Sequence, residues 1–368
     1  MTQLNKPRKK RIRLFVPGRL CLLGEHSDWA AEFGVHKGFC LVIGTDQGLQ
    51  ATVMPSDRFV VSTLVSDEGG GEALPKRSRQ MKCAWDKPSL LAAARDKNEF
   101  FRYCAGVACQ FIGNAGVDGG MEIRITAMDL PLQKGVSSSA AVCILVAEAF
   151  NQIYRLGMFP HELMEVAYQG EKLTGSECGR MDQACIYGKM PVLLTFQKDR
   201  GVRVEPVMPG GEFFMFFVDL AGRKDTVRIL SDLQGGYVRS TALQRALGHS
   251  NEQIVRQAYS ALKTGDARRL GELMLQAQRT FDEAVAPQSP VELAGPLLHK
   301  VLAMKEIAGH IYGGKGVGSQ GDGTAQMVAR SQSDREQAML KIVQAFPRMR
   351  CFPLTIAPGI VQSIGATH

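Results

Sequence analysis

Read from the N-terminus, the apolar positions fall first at strand spacing. Arg11 to Val16 reads as a strand that Pro17-Gly18 breaks, and Gly38 to Thr45, Leu49 to Val53 and Phe59 to Leu64 are β-rich runs separated by turn residues, which predicts a meander. Ser66 to Arg79, polar, charged and glycine-rich, reads as a surface loop. Strand Met121 to Ala127 leads through a glycine- and serine-containing loop, Asp129 to Ser139, into Ala140 to Tyr154, an apolar helix with no breaker. Pro160 opens a second helix, in which Leu163, Val166 and Ala167 keep helical spacing until Glu171 and Lys172 near its end, and Pro191 to Phe196 is another strand.

Beyond Pro206 to Gly211 the pattern changes. A buried strand, Phe213 to Leu220, is followed by long helical stretches at 226–247, 251–264, 266–284 and 290–308. A glycine-dense loop from Gly313 to Gly323 then precedes an apolar turn of helix or strand, a charged helix (Ser333 to Phe346) and a closing strand (Phe352 to Ala357). A chain of 368 residues, 45% hydrophobic, is too long for one compact unit of usual size. The expected division is 1–205 and 206–368.

Composition narrows the classes. Apolar runs such as Phe213 to Leu220 are far shorter than the roughly 20 residues that span a bilayer, so no membrane segment is expected. No apolar stretch of signal-peptide length follows the basic N-terminus, which argues against secretion. Nine cysteines, an odd number without a C-x-x-C pair, fit neither a disulfide framework nor a zinc ribbon and point to the cytoplasm. Six of the positive residues behind the net charge of +8 lie between Lys6 and Arg13. Such an arm reads as a solvated tail, with a nucleic-acid tether as the other reading; what remains is a mildly basic body suited to handling phosphates.

Three segments carry candidate chemistry. Gly135, Val136, Ser137, Ser138 and Ser139 precede a helix, where unpartnered N–H groups and the helix dipole favour a phosphate, and the hydroxyls offer further donors or a magnesium ligand. The same loop also fits a serine-rich N-cap. Around Arg19, the carboxylates of Glu25 and Asp28 can accept hydrogen bonds from a polyol and His26 can donate or accept, although an exposed turn with a satisfied histidine would look alike. Glu171 and Asp182 flank a glycine-containing loop and could supply a metal ligand and a base, or cap helices.

Taken together these segments resemble the GHMP kinase superfamily, galactokinase most of all. Pro17-Gly18-Arg19 with Gly24 to Asp28 echoes its first signature, Pro131 with Gly135 to Ala141 its second, Cys178 to Gln183 its substrate segment, and Lys315 to Gly323 its glycine-rich third. The resemblance implies an α+β, two-domain fold, with a ribosomal-protein-like N-terminal α/β domain, a ferredoxin-like C-terminal α+β domain and the active site in the cleft between. It implies Asp182 and Arg19 as catalytic residues, Glu25, His26, Asp28 and Gly179 at the sugar, and Gly135 to Ser139 with Gly318 and Gly321 at ATP. Ser139 and Glu171 would hold Mg2+. The implied reaction is ATP-dependent phosphorylation of a sugar hydroxyl, the anomeric one foremost, by a monomer or homodimer with no membrane or nucleic-acid partner. A mevalonate-type small-alcohol kinase and a non-catalytic sugar and ATP sensor are the alternatives.

Departures bear on the substrate. Cys21 stands where galactokinases usually carry asparagine, Trp29 where they carry tyrosine and Gln133 where the second signature has its first glycine. The interval from Glu171 to Gly175 is one residue short, as in plant glucuronokinase and related sugar-1-kinases. Arg180, Arg223 and Lys224 could meet an acidic sugar or be surface charge.

Overall fold

The computed structural model describes residues 11–65, 77–130 and 138–359. Gly135, Val136, Ser137, the side chain of Ser138 and most of the basic arm therefore lie outside the described residues, as does most of the expected surface loop.

The first sheet is built from β1 (Ile12–Leu23), β2 (Gly38–Ser56), β3 (Arg58–Val65), β4 (Arg77–Ala84), β5 (Gly120–Met128), β6 (Val192–Gln197) and β7 (Gly201–Pro206). The order is β4-β3-β5-β2-β6-β7 with β1 on β2, and only the β3/β5 pair is parallel. Helices α1 (Ser27–Ala31), α2 (Lys87–Arg95), α3 (Arg102–Cys109), α4 (Ser138–Tyr154) and α5 (Pro160–Lys172) are interleaved with these strands, and α4 packs across β1 and β2.

The second sheet begins with β8 (Phe213–Asp219) and contains β9 (Ile311–Gly316), β10 (Thr324–Ala329) and β11 (Arg350–Ile356), antiparallel throughout in the order β11-β8-β10-β9. Between β8 and β9 lie α6 (Thr226–Tyr237), α7 (Thr241–Arg245), α8 (Asn251–Thr264), α9 (Ala267–Ala284), α10 (Pro296–Leu302) and α11 (Lys305–Ala308); α12 (Gln332–Ala345) precedes β11. Strand β8 explains why its sequence is apolar without alternation. Phe213, Met215 and Phe217 enter the large core shared with β1, β2, α4, α8 and α9, while Phe216 and Val218 enter a second core against α10 and α12. A strand covered on both faces has no polar side.

Several expectations are corrected. Pro17-Gly18 does not end β1: the strand continues through a bulge, the register stepping from Pro17 opposite Gly48 to Arg19 opposite Gly44. A bulge tolerates a proline and re-aims the next side chain, here Arg19. The expected runs 38–45 and 49–53 are one strand, β2. The stretch 226–247 divides into α6 and α7, because Ser240 accepts from the Leu243 N–H and starts a new helix. That from 290 to 308 starts only at Pro296 and is broken between α10 and α11. Gly313 to Gly316 is strand, not loop: a Cβ at Gly313 would lie 2.2 Å from the Gly271 carbonyl, so this glycine serves close packing against α9.

Candidate active site

Arg19, aimed by the bulge in β1, forms an ion pair with Asp182, the first residue of a 3-10 turn (Asp182–Tyr187) after α5. The arginine is almost wholly buried, whereas about a quarter of the Asp182 side chain (27%) remains open. Burial works against the guanidinium charge, but the Asp182 carboxylate, helped by Cys21 and Asp28, outweighs it and holds Arg19 above its usual value.

The turn into α1 is set by backbone constraints. Gly24 has φ +105° and packs where a Cβ would lie 2.1 Å from the Phe39 carbonyl, and His26 caps α1 in the left-handed conformation at φ +68°. Ser27 is spent on the fold, its hydroxyl lying 2.8 Å from the Gly24 carbonyl and accepting from the Phe39 N–H at 3.1 Å. Asp28 receives the Met181 N–H at 3.4 Å and lies against Gly179, where a Cβ would stand 1.7 Å from its Oδ2. Burial first, then the charge of Asp182, pushes Asp28 up to about 6. The Trp29 indole N–H donates to Nδ1 of His26 at 3.1 Å. Burial, with the Lys224 charge adding to it, drives this imidazole down to about 3, against the opposing effect of the Ser319 backbone.

On the other side of the ion pair, Ser139 occupies the first turn of α4, and its hydroxyl bonds to the Glu171 carboxylate. Gln183 also donates to Glu171, at 2.8 Å, and the Ser176 hydroxyl lies at 3.5 Å. Burial, with Asp182 adding to it, raises Glu171 to about 7. The short interval before Gly175 does not carry Glu171 away from Ser139.

One cavity of about 850 Å³ runs past these groups. Arg19, His26, Asp28, Ser139, Gly179, Asp182 and Gly318 all line it. Three expected site residues among the described ones do not. Glu25 turns from the cavity into a buried ion pair with Lys315 of β9. Glu171 stands behind Ser139. Gly321 packs elsewhere, a Cβ there lying 2.5 Å from the Glu292 carbonyl. The cavity also has walls beyond the expected site residues. Lys224 and Thr226 enter from the β8–α6 connection, and Phe100, Phe101 and Tyr103 supply an apolar end. The connection was findable as a strand followed by an Asp225 N-cap, since Asp225 accepts from the Arg228 N–H at 3.0 Å; the aromatics carry no periodic signal.

Comparison with known proteins bears on the family and the fold. The model for the GHMP kinases N terminal domain matches residues 100–189, which include Ser139, Glu171, Gly179 and Asp182. Over this stretch the chain is similar to the GHMP kinases. A galactokinase of Pyrococcus furiosus is 28% identical over 181 residues, 49% of this chain and 45% of that one, so the match spans somewhat less than half of that relative. Lactococcus lactis galactokinase, solved with galactose, superposes with a TM-score of 0.69 at 16% identity, covering 98% of this chain and 95% of its own. L. major mevalonate kinase, solved with R-mevalonate, gives 0.67 at 19% identity, covering 96% and 99%. These two likenesses establish the two-sheet GHMP kinase fold. Among the described residues no helix is long and apolar enough to cross a membrane.

Proposed function

We propose that this protein transfers the γ-phosphoryl group of ATP to a sugar hydroxyl, the anomeric one. The observation that carries the proposal is the Arg19–Asp182 pair, buried on one side and open on the other, in the wall of a cavity that also receives the first turn of α4. The kinship with galactokinases and the galactose in the Lactococcus structure support a sugar over other alcohols.

In this reading the sugar oxygen bonds to the γ-phosphorus as the bond to the ADP oxygen breaks, and the hydroxyl proton passes to Asp182. Phosphoryl transfer asks little covalent chemistry of a protein, so placement and charge stabilisation do most of the work. Arg19 orients the Asp182 carboxylate through their ion pair and offsets charge on the phosphoryl oxygens. His26 and Asp28, with Gly179 against the latter, hold the sugar; Ser139, the start of α4 and Gly318 face the phosphates.

A magnesium ion fits the residues present. Ser139 and Glu171 offer hard oxygen donors, and no Lys or Arg side chain pairs with the buried Glu171 carboxylate among the described residues. Mg2+ takes several of its ligands from phosphates and water and needs few from the protein. When bound, Mg2+ would neutralise phosphate charge.

The test is ADP release over a panel of hexoses, pentoses and uronic acids with mevalonate and homoserine added. Asp182→Asn should lower kcat by about 10²–10⁴-fold, the usual contribution of a general base, with ATP binding retained. Near-normal turnover by that variant would refute the role of Asp182, and activity confined to mevalonate or homoserine would overturn the sugar assignment.

A further inference from the structure

The cavity is polar in two different ways, and the difference bears on the substrate. Around the Arg19–Asp182 pair it offers a carboxylate acceptor, Asp28, on which Asp182 and Arg19 act. Around His26 it offers donors, and there the acting charge is Lys224.

The histidine's role is fixed by its neighbour. Trp29 has only a proton to give, so Nδ1 of His26 must accept it, and a ring kept neutral by burial then carries its single proton on Nε2. That Nε2–H is buried and makes no well-formed hydrogen bond among the described residues; the Ser319 backbone acts on the ring only as a weak acceptor. His26, only 4% exposed, lines the cavity together with Lys224, whose ammonium donates to the Gln320 carbonyl at 2.9 Å. Beside them Thr226, the first residue of α6, and Ser319 bring two hydroxyls 3.4 Å apart. Asp225 also borders this corner, but Oδ1 of its carboxylate is taken by the helix cap.

We infer that this corner binds a carboxylate of the acceptor, so that the substrate is a uronic acid, held by the His26 Nε2–H and the Lys224 ammonium. Trp29 is the positioning residue that makes His26 a donor. A neutral hydroxymethyl group would offer the buried N–H and the Lys224 ammonium a weaker acceptor than a carboxylate does. In a uronic acid the carboxylate and the anomeric hydroxyl flank the ring oxygen. One ligand can therefore reach the donor corner and Asp182 together. The inference rests on the kinase reading above and deepens it.

The experiment measures kcat/KM for glucuronate and galacturonate against glucose, galactose and glucose 6-phosphate, in wild type and Lys224→Met. Uronates should be the preferred acceptors, and Lys224→Met should lower the uronate-to-hexose ratio by about 10- to 100-fold, the worth of one charge-assisted hydrogen bond. Trp29→Phe, folded by its melting curve, should raise KM for uronates with kcat little changed. Neutral hexoses or the sugar phosphate used as well as uronates by wild type would overturn the inference, whether or not the variants fold. So would a uronate-to-hexose ratio unmoved in folded Lys224→Met. If no acceptor supports ADP release, the kinase reading falls. Thermal shift with glucuronate against glucose then decides the corner separately: selective stabilisation by glucuronate upholds it, and none overturns it.

Discussion

Burial drives the Glu171 carboxyl up to about 7, with the Asp182 charge adding to it, so the folded protein keeps a proton there that the unfolded chain releases near 4.5. A raised folded-state value makes its contribution to stability complete below about 4.5 and lost as pH climbs through about 7, roughly 1.4 kcal/mol going with each pH unit between those two values. His26 works in the other direction: its ring stays neutral down to about 3, so its contribution is present above 6.5 and is lost as pH falls toward about 3. The whole-protein profile mixes the two, and a difference measurement separates them. Glu171→Gln should melt progressively higher than wild type as pH rises from about 5 to about 8 without ligand, and Mg2+ with ATP should narrow the gap. A gap in melting temperature that is constant across that range would contradict the buried-charge account. At this scale much of the site was legible. Arg19, His26, Asp28, Gly179 and Asp182 sit in ordered motifs and share one cavity, whereas Lys224, weighed in the sequence with Arg180 and Arg223 as a contact for an acidic sugar or as surface charge, belongs to no motif that sets it apart from them.

The segment after α5 shows how one element holds another. Gly179 allows the 178–181 stretch to lie against Asp28, and an added Cβ would stand 1.7 Å from Oδ2, so either the loop or the carboxylate must move. Gly179→Ala should therefore raise KM for the acceptor by about 10-fold or more, since displacements near 1 Å can cost 10²-fold, while KM for ATP and the melting temperature change little. Equal losses for both substrates would mean that the loop does not act through Asp28. The same logic accounts for what single-sequence patterns missed among the elements. Glycine usually marks a turn, yet Gly313 lies in β9 because α9 comes too close for a side chain. Strand β7 is an edge of six residues in which only Val202 and Val204 alternate with polar positions, a signal too short to mark a strand.

Across the whole molecule, the first signature is tied to the second sheet by buried polar contacts that no local pattern reveals. Glu25 and Lys315, 290 positions apart, pair with side chains 4% and 1% exposed, and the lysine also donates to the Gly316 carbonyl at 2.6 Å. Close by, the Gln326 amide of β10 donates to the Cys21 carbonyl at 2.6 Å, and Asn251 of α8 to the Phe39 carbonyl at 2.9 Å. The turn that presents His26 and Asp28 is thus braced by the sheet whose β9–β10 turn contains Gly318. A carboxylate at position 25 has a structural purpose that a sugar-binding motif conceals. Glu25→Gln would leave the Lys315 charge buried without its counter-ion, a change that typically costs about 3–5 kcal/mol. Removing both charges in Glu25→Gln/Lys315→Met should return much of that loss, because an apolar side chain needs no counter-ion there. Urea unfolding of the four proteins of this cycle measures the coupling. If the single variant is no less stable than the double, the pair is not what joins the two sheets, and the brace must rest on Gln326 and Asn251.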